Sequence, residues 1–154
     1  MLDKTRASAI ALALLGSLAG ARPELLSPAC ADEPTYTRQS DLVYKRKFGT
    51  ALTMDVFAPR VKANGRGVIY IVSGGWFSSH DINGLVPVFT PLIGRGYTVF
   101  AVVHGSQPKY TIPEIVDDIE RAVRFVRVHA DDYHIDPDYI GIYGFSAGGH
   151  LSLM

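Results

Sequence analysis

Cysteine is nearly absent from this 154-residue chain: Cys30 stands alone, which excludes an internal disulfide framework and any cysteine-based zinc site. Net charge is absent too. Fifteen Lys and Arg balance fifteen Asp and Glu, so no global field draws the chain to nucleic acid or to an anionic membrane. No apolar run reaches the roughly 20 residues that span a bilayer; the most apolar stretch, Ala7 to Ala21, falls short of that. There is no internal repeat and no low-complexity tract. No carboxylate pair and no His, Cys or Asp spacing suggests a bound metal. What remains is the composition of a globular domain, with enough aliphatic and aromatic side chains for a real core.

The N-terminus reads as a secretory signal. Lys4 and Arg6 precede the apolar run, and two small-x-small sites follow it, Ala19-Gly20-Ala21 and Ala29-Cys30-Ala31. Cleavage after Ala31 is favoured, which makes residues 1–31 a signal peptide and places the mature chain outside the cytoplasm or in a periplasm. The competing reading is a lipid anchor on Cys30. Ser27-Pro28-Ala29-Cys30 matches a lipobox poorly, because the leucine is one position early and a proline intervenes.

Past residue 31 the chain is expected to run through a polar linker, residues 32–40, into one α/β domain, residues 41–154. Leu42 to Phe48 and Leu52 to Phe57, separated by Gly49-Thr50, predict an antiparallel hairpin. Val68 to Val72 and Tyr97 to Val103 are continuous apolar runs, as parallel strands buried on both faces require. Leu85 to Ile93 predicts a helix. Thr111 to about Tyr133 predicts a longer one, opened by a Thr111/Glu114 capping box, with Ile112, Ile115, Val116, Ile119, Ala122, Val123 and Val126 on one face. Asp117, Asp118 and Glu120 are expected on its solvated side, with Asp117 pairing to Arg121. Tyr139 to Tyr143 is a last strand. Strands alternating with helices imply a parallel sheet with right-handed crossovers, and ligands then bind at the carboxyl ends of its strands.

Three segments fall at such ends: Ser73-Gly74-Gly75-Trp76, His104 to Tyr110, and Gly144-Phe145-Ser146-Ala147-Gly148-Gly149-His150. Gly-x-Ser-x-Gly between a strand and a helix is the pattern of a nucleophile elbow. A serine hydroxyl needs an adjacent base and a stabilised oxyanion to react. Ser146 is therefore the candidate nucleophile, with the backbone N–H groups of Gly74, Gly75 and Ala147 as candidate oxyanion donors. Trp76 and His104 are candidate pocket residues. The competing readings are a glycine-rich turn that cradles a phosphate or merely packs, an ordinary tight turn at Ser73–Trp76, and a core position for Trp76.

These motifs, with Leu52-Thr53-Met54-Asp55-Val56-Phe57, Gly94-Arg95-Gly96-Tyr97-Thr98-Val99, Ala122-Val123-Arg124-Phe125-Val126-Arg127 and Ile135-Asp136-Pro137-Asp138, resemble the α/β-hydrolase esterases. The feruloyl-esterase-like, hormone-sensitive-lipase-like and prolyl-oligopeptidase-like carboxylesterases are the groups most like it. The resemblance runs from about Asp41 onward and implies the N-terminal half of an α/β-hydrolase fold. It also implies a Ser-His-Asp triad, ester hydrolysis through an acyl-enzyme, and no metal or organic cofactor. Expected substrates are small-molecule or carbohydrate-linked esters; nucleic acid and a stable membrane span are not expected. Two departures stand out. Aligned on Trp76, the family's His-Gly-Gly-Gly-Trp loop places its histidine at Val72 and its first glycine at Ser73, and a usual Tyr-Arg pair is replaced around His104-Gly105.

The triad acid and histidine are expected after Met154, roughly 70–120 residues further on for a domain of ordinary size. The 154 residues alone are then expected to be nearly inactive and to leave the last strand as an open edge. His150, four residues after Ser146, is read as a helix-packing residue, His80 as loop surface, and His129 and His134 as solvated or capping groups. A serine peptidase of related fold, and a non-catalytic hydrolase-like binding module, remain open on these residues.

Overall fold

The computed structural model describes residues 35–154. The expected signal peptide, the cleavage site and Cys30 lie outside the described residues. Among those described, no helix is long and apolar enough to cross a membrane.

Five strands form one mixed sheet: β1 (Tyr36–Lys47), β2 (Thr50–Pro59), β3 (Gly67–Val72), β4 (Thr98–Val103) and β5 (Ile140–Gly144), in the spatial order β1-β2-β4-β3-β5. β1 pairs antiparallel with β2, and β2 antiparallel with β4. β3 pairs parallel with both β4 and β5. Three helices join them: α1 (Val86–Ile93), α2 (Ile112–Val128) and α3 (Ala147–Leu151). This is the expected α/β arrangement, a hairpin leading into parallel strands.

The period-2 alternation of a strand divides the core in two. Ile69, Ile71, Phe100 and Val102 face one side and pack with Ile115, Ile119, Ala122 and Val126 of α2 and Leu151 of α3. Tyr70, Val72, Val99 and Ala101 face the other side and pack with Phe89 and Ile93 of α1. Covered on both faces, β3 and β4 have no polar side to show, which is why their sequences read as unbroken apolar runs.

Three expectations need correction. The segment 36–40, read as linker, belongs to β1, whose pairing extends to Tyr36↔Pro59. Its polar character suits a sheet edge open to water. Arg38 also has a specific task there, since its Nε and a second guanidinium nitrogen reach the buried Asp55 carboxylate at 2.8 and 2.6 Å. Second, α2 ends at Val128; His129 caps it, with Nδ1 2.8 Å from the Phe125 carbonyl, and residues 131–133 form a separate 3₁₀ turn. Third, Asp118 does not lie on a solvated face. It is fully buried and takes Lys45 Nζ at 2.7 Å, with Lys47 Nζ at 3.8 Å. Asp117 pairs with the same Lys45 rather than with Arg121, and the one i,i+4 ion pair of α2 is Arg124–Glu120 at 3.1 Å. The capping box is present as expected, the Thr111 N–H donating to Glu114 at 2.9 Å.

Candidate active site

β5 delivers Ser146 to the carboxyl edge of the sheet, and glycine makes the delivery possible. Ser146 sits at φ 51° and ψ −121°, a conformation that costs a non-glycine residue about 1–3 kcal/mol and persists only where its surroundings enforce it. They do so through close backbone packing. A Cβ on Gly144 would stand 2.6 Å from the Gly148 carbonyl carbon, and one on Gly148 would stand 2.8 Å from the Ile71 carbonyl oxygen. Strand, turn and helix therefore pack backbone against backbone. The bend is tied by Gly148 N–H to Phe145 C=O at 2.8 Å and His150 N–H to Ser146 C=O at 3.0 Å.

Ser146 itself is exposed, and its side chain makes no hydrogen bond among the described residues. Ala147 is the first residue of α3, so its N–H has no intrahelical acceptor. A reacting carbonyl placed on Ser146 would have that donor available.

The loop after β3 supplies the second candidate donor, but not at every expected position. Gly74 and Phe77 exchange two backbone hydrogen bonds, Gly74 N–H to Phe77 C=O at 2.9 Å and the reverse at 3.0 Å. The two residues between them, Gly75 and Trp76, both have positive φ, 57° and 68°, as a two-residue hairpin-type turn demands. The Gly74 N–H, expected as an oxyanion donor, is thereby committed within the turn. The N–H groups of Gly75 and Trp76 have no acceptor among the described residues. Trp76 is half-buried against the core and meets His150 edge-on, ring centroids 5.3 Å apart. His150 is otherwise exposed.

His104 follows the end of β4. Its side chain is buried and lines a cavity of about 310 Å³ with Leu52, Ser78, His80, Ser106 and Tyr110, residues of the β2 and β4 side of the edge; Ser146 is not among that cavity's lining. The imidazole Nδ1 lies 2.7 Å from the Gly105 carbonyl, and Nε2 is buried with no hydrogen-bond partner among the described residues. Burial pushes its pKa below the ordinary histidine value, so it is neutral near pH 7 and donates through Nδ1. Among the described residues, no group of three or more His, Cys, Asp or Glu gathers as a metal would require.

Two sets of residues at this edge carried no recognisable signal in the sequence. Phe145, 62% exposed, stands in an aromatic array with Tyr70 and Tyr143, centroids 6.3 and 6.4 Å away. Ser78 and Ser106, 28 positions apart, are hydrogen-bonded to one another and join the loop after β3 to the loop after β4. Neither pairing could be found by spacing, because only the fold brings these residues together.

Comparison with known proteins agrees with this geometry. The profile of the BD-FAE family matches residues 54–154. The Mycobacterium tuberculosis protein named probable carboxylic ester hydrolase LipM is 32% identical over 120 residues, covering 76% of this chain and 28% of that protein. The acetylxylan esterase of Xylanibacter ruminicola is 36% identical over 93 residues, 58% of this chain and 18% of the relative. Among solved structures, a truncated form of a carbohydrate esterase from gut microbiota aligns with TM-score 0.67 and 32% identity over 78% of this chain and 43% of that one. Esterase 2 of Thermogutta terrifontis, solved phosphorylated by paraoxon, aligns with TM-score 0.65 and 26% identity over 77% of this chain and 46% of that one. The chain therefore spans less than half the length of these relatives. A sheet of this order, a serine on a strained turn at its edge and a family match over most of the described residues lead to one conclusion: the chain belongs to the BD-FAE family and carries part of an α/β-hydrolase esterase fold.

Proposed function

We propose that the protein containing this chain hydrolyses carboxylic esters, with Ser146 as nucleophile. The Ser146 oxygen attacks the ester carbonyl carbon and gives its proton to a base. The carbonyl oxygen becomes an oxyanion, held by the N–H groups of Ala147 and Gly75. The alcohol then leaves with a proton, and water cleaves the acyl-serine to regenerate the hydroxyl. The observation that carries this reading is the Ser146 backbone, strained at φ 51° between Gly144 and Gly148, at either of which a Cβ would run into backbone atoms. The names of the relatives support an ester substrate, and two of them, an acetylxylan esterase and a carbohydrate esterase, favour an acyl group on a sugar.

The base and the acid that orients it are expected in sequence beyond these 154 residues. None of the described histidines hydrogen-bonds Ser146. Loss of the triad histidine alone costs on the order of 10⁶ in turnover in a serine hydrolase, so residues 1–154 expressed by themselves are expected to hydrolyse esters only marginally. Residues 1–31 are read as an export signal, which would place the enzyme outside the cytoplasm.

The test is reaction of the full-length protein with a fluorophosphonate and with acetylated xylo-oligosaccharides. Stoichiometric labelling and acetate release, both abolished by Ser146→Ala, are expected. An unlabelled wild type, or labelling unchanged by the substitution, would refute the nucleophile and leave a non-catalytic binding module.

A further inference from the structure

The β3–β4 ladder stops one rung early, and the missing rung points to a residue outside the expected machinery. Thr98 N–H donates to Arg66 C=O at 3.0 Å, and the two strands stay in register to Val72↔Val103. Parallel ladders repeat every second residue. The rung after Val102 would therefore run from His104 N–H to Val72 C=O.

The hydroxyl of Ser78 occupies that place. Ser78 Oγ donates to Val72 C=O at 2.5 Å and accepts His104 N–H at 3.2 Å. It is a wedge between two strands at the point where they part. Ser78 is in turn fixed on both sides of its backbone: its N–H donates to Ser106 Oγ at 2.9 Å, and that hydroxyl donates to the Ser78 carbonyl at 3.2 Å. Gln107 N–H reaches Trp76 C=O at 3.3 Å.

Consider what lies between. The chain leaves β3 at Val72 and turns through Gly74–Phe77; at Ser78 it is back on the Val72 carbonyl. Both ends of the turn that carries the Gly75 N–H are thereby pinned to one atom. The family pattern would place a histidine at position 72, where this chain has an apolar valine facing α1. The anchorage comes from serine hydroxyls instead.

We propose that Ser78, seated by Ser106, is a positioning residue that sets the height of the Gly75 oxyanion donor relative to Ser146. The inference rests on the esterase reading above. Without the Ser78 hydroxyl, His104 N–H and Val72 C=O can close their rung directly, and the turn loses its inner anchor. A donor displaced by about 1 Å can cost up to a hundredfold in rate.

The experiment compares wild type, Ser78→Ala, Ser78→Thr and Ser106→Ala in the full-length protein. Readouts are kcat and KM on a small acetyl ester, inhibition by an alkylboronic acid, and Tm. A boronate forms a tetrahedral adduct on the serine whose oxygen occupies the donor site, so its affinity reports donor placement. For Ser78→Ala, kcat is expected to fall about tenfold to a hundredfold. KM should stay within about twofold, and boronate affinity should weaken in proportion to kcat. Ser78→Thr, which keeps the hydroxyl, should restore most of both. Ser106→Ala should show the same split at smaller size, and it decides the matter if Ser78→Ala does not fold. Boronate affinity unchanged in Ser78→Ala, or loss carried by KM alone, would overturn the assignment while leaving Ser146 intact. A wild type that neither hydrolyses the ester nor binds the boronate would overturn the esterase reading and this inference with it.

Discussion

A glycine can be required for what it allows its neighbour to do. Gly144 has an ordinary backbone conformation, yet a methyl group there would stand 2.6 Å from the backbone of Gly148. Neither partner is a flexible side chain that could swing aside. Gly144→Ala is therefore expected to destabilise the domain by about 1–3 kcal/mol, the usual cost of forcing extra atoms into close packing. Gly84, with open space around it, is the control, and Gly84→Ala should stay within about 0.5 kcal/mol. Urea unfolding of the two variants measures both. At this scale the sequence was informative about the turn at Ser146, because Gly144 meets the backbone of Gly148 within the motif itself, whereas the contact of Gly148 with the Ile71 carbonyl is made only by the fold. It was less informative about Gly74. Whether an N–H is free depends on what the turn does with it, and the turn spends that donor on Phe77.

Elements were legible wherever one physical cause dominated. The capping box announces the start of α2, and two-sided burial gives β3 and β4 their apolar runs. Strand β1 was half hidden because its outer part is polar, and α2 gave a false impression at Asp118. A helix face read by periodicity counts a carboxylate as solvated; nothing local shows that two lysines from β1 come to meet it. That burial has an asymmetric consequence. The carboxylate of Asp118 is fully buried, whereas the Lys45 and Lys47 side chains are 20% and 16% exposed. Removing both cations strands a buried charge, which typically costs about 3–5 kcal/mol. The double variant Lys45→Met/Lys47→Met is expected to lose that much in a urea titration. Asp118→Asn should lose less, because the lysines left behind reach water.

Among the described residues, the sheet is covered on both faces at its centre, and β5 pairs with β3 on one side only. Ile142 and Phe145, with Leu153 and Met154 after α3, present apolar surface. The order β1-β2-β4-β3-β5 could be anticipated only as alternation of strand and helix, since pairing order is set by long-range packing that no local window contains. One titration should be felt globally. The folded His104 takes up its proton at lower pH than a free imidazole because burial disfavours the charged form. Above about pH 6.5 both folded and unfolded chains are neutral at this site and no stability is lost. As pH falls below that value the unfolded chain binds the proton first, so stability drops until the folded imidazole also titrates. Thermal melts between about pH 7.5 and 5.5 should show a falling Tm that is flatter in His104→Gln. An identical slope in the variant would remove His104 as the cause.

The lysine pair on β1 also fixes alignment. Lys45 and Lys47 are separated by two positions and so share a side of the strand, while Arg46 between them projects oppositely. The outer strand carries an extra residue at Tyr44, so its alignment on its neighbour is not set by regular pairing alone. Shifted by a single step, it would swing both ammonium groups away from the helix and leave Asp118 with no counter-ion. The hairpin's setting is thus held twice, by the two ammonium groups on Asp118 and by Tyr44, which is buried in the core with its hydroxyl on the Val103 carbonyl.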